Sequence, residues 1–426
     1  MRPSTSLAGL ATLLGVACTT LIDLPDLPDA TDSGGTDATG GRPASTAGTS
    51  ATEVGDAGST GTSQAGESSG GTPNGGSAAG GSSKAGSSSK AGSSSGGNST
   101  GGTAGSGMCS PDWKLCGDMC ADLTSDKNHC GDCETKCDGC SLSRCYTVVA
   151  AVGTYNFAVN ASHVYFAQSG NLARVPRAGG TVQTLAPADG AAAIALDKTS
   201  VYWIDKAGSG TLQKLPLAGG NAQPLATEIW ASSIAVDASY VYASVDDSGN
   251  SGTGSVVKVP IAGGATVTLA SGQLNNGPLA IDNTYVYWAD LGDGSQMHNT
   301  DGSIMRVPKA GGSVVTLAAN VDGPRSLVLA NNFVYFGNWD SIQKVPTTTG
   351  AVSTVTTTTG ATVLAADASS IYAGGTAELT PVLQLSFAGV EQSTLAATDN
   401  LRSLAVDGGT VFWSDSTSLN SIAKMP

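Results

Sequence analysis

From Tyr146 onward the apolar residues come in short bursts, never in helical stripes. Each burst is three to six residues long, alternating or rich in Val and Ile, and closed by Gly, Asp or Pro, which is the signature of short strands. An aromatic residue following Val or Ile marks the pattern seven times: "VYF" at 164, "VYW" at 201, "VYA" at 241, "VYW" at 286, "VYF" at 334, "IYA" at 371 and "VFW" at 411. The period is about 41 residues, the length of a propeller blade. Around each marker the unit is constant. An apolar strand such as "IALD" (194–197), "IAVD" (234–237) or "LAVD" (404–407) comes first, and the aromatic strand second. A third strand follows, as in "IMRVP" (304–308), then a Gly-Gly turn and a fourth strand such as "VVTLA" (314–318). Four short strands per repeat predict an all-β chain whose last 281 residues, 146–426, form a seven-bladed β-propeller.

Two repeats carry a closer likeness. Tyr202-Trp203-Ile204-Asp205 and Tyr287-Trp288-Ala289-Asp290 resemble the YWTD blades of lipoprotein-receptor propellers. That family has six blades, whereas seven markers predict seven here. Trp203, Trp288 and Trp413 follow the repeat marker and are therefore expected in the core.

The seventh repeat supplies strand one (404–407), strand two (411–413) and strand three (422–426), but no fourth. Just before the first repeat stands "YTVVAAVG" (146–153), strand-like and without a blade of its own. In a closed ring the first and last blades are neighbours. Residues 146–151 are therefore expected as the outer strand of blade 7, which would remove two open edges at once.

The N-terminal third reads differently. "MRPSTSLAGLATLLGVAC" has an early Arg and an apolar run too short to span a bilayer, so residues 1–17 read as a signal peptide. Gly15-Val16-Ala17-Cys18 resembles the lipobox of bacterial lipoproteins, which implies a lipidated Cys18 and a membrane anchor in the cell envelope, at the outer membrane or cell surface. The alternative is ordinary cleavage after Ala17. Residues 18–107 are nearly all Gly, Ser, Thr, Ala and Asp, a composition that cannot bury enough apolar surface to order itself and is expected to act as a tether.

Residues 108–145 hold eight of the nine cysteines: Cys109, Cys116, Cys120, Cys130, Cys133, Cys137, Cys140 and Cys145. So short a stretch has no room for an apolar core, and four disulfides would replace it. Zinc on the Cys130/Cys133 and Cys137/Cys140 pairs is the alternative. The stretch with Cys116-Gly117, Cys120, Asp126, Cys130-Gly131 and Cys133 resembles the cysteine-rich repeat of stigma-specific proteins, which implies an extracellular disulfide module.

Composition narrows the function. The net charge is −14, with only 13% charged residues, which argues against nucleic-acid binding. Outside the low-complexity stretch 18–107 no Gly-x-Ser-x-Gly motif occurs, and the chain has no HExxH or phosphate loop, so no catalytic residue is assigned. Connectivity places the second-to-third-strand loops on the same face as the blade-to-blade linkers, and these are the long, varied ones. A non-catalytic binding or adhesion role on that face is expected, for a glycan or protein ligand, by a monomer. The candidate contacts are Trp230, Trp339, Asp246, Asp247, Asn275, Asp293, Asp301 and Arg325. No metal is assigned; Ca²⁺ at the oxygen-rich 290–302 loop is an alternative. An envelope hydrolase or lyase using Asp205, Asp290 and Asp415 in the channel is the competing function. The repeated Asp197, Asp237, Asp282, Asp367 and Asp407 read as turn formers. Arg174, Lys214, Lys258, Arg306, Lys344 and Lys424 read as structural, with pairing to those aspartates as the expectation.

Overall fold

The structure is a computed structural model and describes residues 109–425, apart from Ser209 and the segments 246–253, 274–275, 293–300, 358–360 and 376–379. Residues 1–108, with the expected signal peptide, Cys18 and the expected tether, lie outside the described residues. Among the described residues there is no helix; every element is a strand.

Seven antiparallel sheets form the blades. Blades 1 to 6 have four strands each and span 157–187, 194–227, 231–273, 276–321, 326–356 and 363–398. In each, the first strand in sequence is the inner edge and the fourth the outer edge. Each inner strand contacts the next, all the way round, and the last contacts the first. The ring is closed.

The core lies between blades. Period-2 alternation sends side chains to opposite faces of a strand. In blade 2, Val201 and Trp203 pack toward blade 1, while Tyr202 and Ile204 pack toward blade 3. Trp203, Trp288 and Trp413 are all fully buried, as their place in the repeat predicts. Seven apolar clusters fill the seven blade-to-blade interfaces.

The turn between the third and fourth strands needs glycine. In Pro176-Arg177-Ala178-Gly179-Gly180 the Gly179 N–H donates to the Pro176 carbonyl at 2.9 Å. Gly179 and Gly180 have φ of 83° and 129°, and the Gly-Gly pairs at 219, 263 and 311 follow suit. A Cβ at either position would strain the turn.

The cysteine module contains β1 (Lys114–Cys116), β2 (Met119–Ala121) and β3 (Gly139–Ser141), followed by β4 (Arg144–Ala150). All eight cysteines are paired, as Cys109–Cys120, Cys116–Cys133, Cys130–Cys140 and Cys137–Cys145. Asp126 holds a turn: its Oδ1 accepts the Asn128 N–H at 2.9 Å and its Oδ2 lies 2.8 Å from His129 Nδ1.

Ring closure follows the expected route. The third strand of blade 7, Leu419–Ala423, pairs with β4 in the register Leu419–Ala150, Asn420–Val148 and Ser421–Thr147. Two boundaries differ from expectation. The third strand lies earlier than 422–426, because its register follows the aromatic strand, with Phe412 opposite Ser421. The closing strand also starts inside the module, so the β3–β4 hairpin gives blade 7 five strands. Ser141 Oγ accepts the Ala397 N–H at 2.8 Å, and Arg144 donates to the Thr394 carbonyl at 3.3 Å. The module is thereby tied to the outer strand of blade 6.

Candidate functional site

The two faces of the ring differ in chemistry. The face carrying the Gly-Gly turns is taken up by a repeated latch. Asp197, Asp237, Asp282 and Asp367 each accept two backbone N–H groups of the turn after the inner strand, as expected of turn formers. Their second oxygen accepts the hydroxyl of Tyr202, Tyr242, Tyr287 and Tyr372, at 2.7, 2.9, 2.7 and 3.1 Å. Burial, reinforced by the facing carboxylate, pushes all four hydroxyls well above the ordinary tyrosine range.

The recurrent bases do something other than pair with these aspartates. Arg174, Lys214, Lys258, Arg306 and Lys344 donate to carbonyls of the next blade, those of Leu217, Ile261, Lys309, Thr347 and Phe387. The reason is register. Each stands opposite the marker tyrosine on the third strand, so it points across the interface to the neighbour's turn. Lys424 alone of the six pairs with an aspartate, Asp367, at 2.9 Å. Lys309 reaches Asp237 in the same way at 2.9 Å. Burial opposes the charge on Asp237 and Asp367, but turn N–H groups and the lysine ammonium outweigh it and hold both carboxyls below the usual range.

The opposite face, with the long loops, breaks the repeat. Lys206 Nζ lies 5.3 Å from the Trp230 ring centroid, the Arg325 guanidinium 4.6 Å from Trp339 and the Arg402 guanidinium 4.1 Å from Tyr155. These distances are within cation–π range. Trp230 and Trp339 are half-buried, Arg325 is exposed and Tyr155 is 68% exposed. The pairs occupy the blade 2/3 boundary, blade 5 and the blade 7/1 boundary, so they spread around the whole ring. Arg402 and Tyr155 are the members that sequence reading missed. The signal was present: they hold equivalent places at the start of strand one, where blades 2, 3 and 4 carry Ala192, Ser232 and Gly277.

The other candidates are dispersed. Asp246, Asp247, Asn275 and Asp293 lie outside the described residues, as does most of the 290–302 loop. Asp301 is exposed at the start of the third strand of blade 4. The repeated carboxylates Asp205, Asp290 and Asp415 stand at the end of the second strand, not on the inner strand that lines the channel. Asp205 Oδ1 accepts the Ala207 N–H at 3.0 Å and Asp290 Oδ1 accepts that of Gly292 at 3.1 Å. Asp415 Oδ1 accepts Thr417 and Ser418 N–H, both at 2.8 Å, while its Oδ2 accepts Asn420 Nδ2 at 3.2 Å. Each holds its own loop, as Asn338 does in blade 5.

A separate cleft of about 500 Å³ lies between the module and blade 7, lined by Lys136, Asp138, Tyr146, Thr410 and the Cys137–Cys145 bridge. It is polar and open to solvent.

No family profile matches the chain, and no curated protein matches it. Solved structures do. The extracellular domain assigned to a hybrid two-component system of B. thetaiotaomicron is similar with a TM-score of 0.50 and 9% identity, over 66% of this chain and 40% of that one. PorZ, a bacterial surface component of the type-IX secretion system of Porphyromonas gingivalis, gives 0.48 and 13%, over 66% and 39%. A chain of the nidogen/laminin complex gives 0.43 and 16%, over 56% and 93%. At such identities the likeness is one of fold: the chain is a β-propeller. It spans about two-fifths of the length of the two bacterial proteins.

Proposed function

We propose that this chain is a non-catalytic extracytoplasmic binding module that meets a glycan or protein ligand with the long-loop face of its propeller. One observation carries the reading. The Gly-Gly-turn face is spent on a repeated internal latch, while the aromatic and cationic residues that break the repeat gather on the other face. Irregular loops on a rigid scaffold are where recognition resides. Half-exposed Trp and Tyr offer large contact area at low entropic cost.

Four disulfides suit an oxidising compartment. In this reading Cys18 carries the lipid anchor, residues 18–107 are the tether and the cysteine module is the extracellular knot between tether and ring. The protein then acts as a monomer at the cell envelope.

The test is a glycan array probed with the full chain and two triple variants. One replaces Tyr155, Trp230 and Trp339 by Ala. The other replaces Val267, Val352 and Val390, which are exposed away from that face. Retention lost only in the first variant supports the assignment. Equal retention by both would place recognition elsewhere.

A further inference from the structure

Every blade presents one residue at the mouth of the central channel, at the long-loop end of the inner strand. Registers identify it. In blade 5, Ser326 is opposite Gly337, and Arg325 precedes it. In blade 7, Ser403 is opposite Ser414, and Arg402 precedes it. Both arginines anchor their backbone alike, donating N–H to the carbonyls of Gly337 and Ser414 at 2.9 Å. In blade 6 the same place is held by Thr362, and in blade 1 by Tyr155. Blades 2, 3 and 4 have alanine, serine and glycine there, at positions 192, 232 and 277. Blades 5, 6, 7 and 1 are consecutive around the ring, so one arc of the mouth is Arg, Thr, Arg, Tyr and the rest is small and neutral.

That arc has unmet hydrogen-bonding capacity. Among the described residues, buried Arg402 Nε and Thr362 Oγ1 find no partner, and neither does the indole N–H of Trp339, beneath Arg325. Buried polar groups without partners are rare, and each asks for a ligand or a water. Here two of the three are N–H donors, one of them part of the Arg402 guanidinium, and Arg325 adds a second guanidinium on blade 5. Such a set fits an acceptor with two oxygens, since the planar fork of arginine matches a carboxylate in bidentate fashion. The surrounding field is not basic: Asp322, Asp340 and Asp399 lie on the same face. Those carboxylates oppose any anion, and a single carboxylate on a neutral body meets less of that penalty than a polyanion does. Tyr155 and Trp339 supply rings on which a pyranose can lie.

We infer that the blade 5–7–1 arc of the channel mouth binds the carboxylate of an acidic sugar, a uronic-acid-type residue within a glycan, through Arg402, Thr362 and Arg325, with Tyr155 beneath the ring. This rests on the binding reading above and names its ligand class. Arg402 is the central contact. It has the buried, unpartnered N–H and the stacked ring.

The experiment uses the full chain on an array of uronate-containing oligosaccharides printed beside the same oligosaccharides with the carboxylate reduced to the alcohol. The acid forms should be held at least tenfold more tightly than the reduced forms. Arg402→Lys, which keeps the charge and loses the fork, should lose at least tenfold of that binding with an unchanged melting transition. Tyr155→Ala serves as the second variant because its side chain is exposed, and it should weaken binding several-fold. Equal retention of acid and reduced forms, no retention of uronates, or indifference to both substitutions would each overturn the inference. Retention of neutral glycans without preference for the acid overturns it while leaving the binding reading intact. An array blank for every glycan removes the glycan reading along with it.

Discussion

Arg177 of blade 1 reaches back across the seam of the ring to the carboxylate of Asp407 in blade 7, and its guanidinium lies 4.9 Å from the centroid of Phe412. At this seam the repeated latch is missing both of its parts. Phe412 has no hydroxyl to occupy Asp407, and Ser421 stands where blades 1 to 5 carry a base. Arg177 fills both vacancies, with a further bond to the Asp407 carbonyl at 3.1 Å. Breaking a largely buried pair strands one charge in a poor environment. Arg177→Met and Asp407→Asn should each cost about 2 kcal/mol, less than a fully buried pair because Arg177 retains some solvent. Double substitution should cost less than the sum. Chemical denaturation of the three variants measures the coupling, and strict additivity would contradict a direct interaction.

β4 is the strand that closes the ring, and its removal tests closure directly. Val149 and Ala150 are buried against Phe157, Phe412 and Leu419. A chain beginning at residue 151 leaves the third strand of blade 7 as an open edge and uncovers this cluster. The melting temperature should fall by about 10 °C or more, since several kcal/mol of packing and pairing are lost together. An unchanged transition in calorimetry would show that the ring closes without β4.

The latch sets the pH range of stability from both ends. The hydroxyls of Tyr202, Tyr242, Tyr287 and Tyr372 are held above their unfolded value near 10. A raised folded pKa gives stability that is complete below about pH 10 and is lost as pH climbs toward the folded value. Asp237 and Asp367 are held below theirs, near 3.9. Their contribution is complete above about pH 4 and is lost as pH falls through the folded value. Stability should therefore be flat between about pH 4 and 10 as far as these groups decide it. Tyrosinate absorbance recorded with circular dichroism checks the alkaline limb. Those four tyrosines should ionise only together with unfolding.

The blade count and the strand order were legible because each rests on a local rule repeated along the ring, and the closing strand because the seventh repeat falls one strand short of that rule. Alternation gave the faces of "SVYWID" (200–205), and Gly-Gly gave the turns. What the repeat could not reveal was where a side chain ends. Lys214 and Lys424 look equivalent as bases near a Pro, yet one finds the Ile261 carbonyl and the other Asp367, because they differ by three places in register. The candidate site was half legible for the opposite reason. Trp230, Trp339 and Arg325 stood out as departures from the repeat. Arg402 and Tyr155 are 247 residues apart and meet only because the ring closes between them.

The disulfides are expected to hold the module and not the ring. Among the described residues no apolar cluster of the core draws on residues before Tyr146, and the bonds from module to propeller run through Ser141 and Arg144. Reduction should therefore release residues 109–138 to proteolysis while the propeller keeps its far-ultraviolet spectrum. The melting temperature should fall by only a few degrees, as β3 and the Ser141 and Arg144 contacts loosen but β4 stays paired. Limited proteolysis with mass spectrometry, with and without reductant, reads this out. Collapse of the whole ring on reduction would mean that the module is part of the propeller's stability and not a knot attached to its rim.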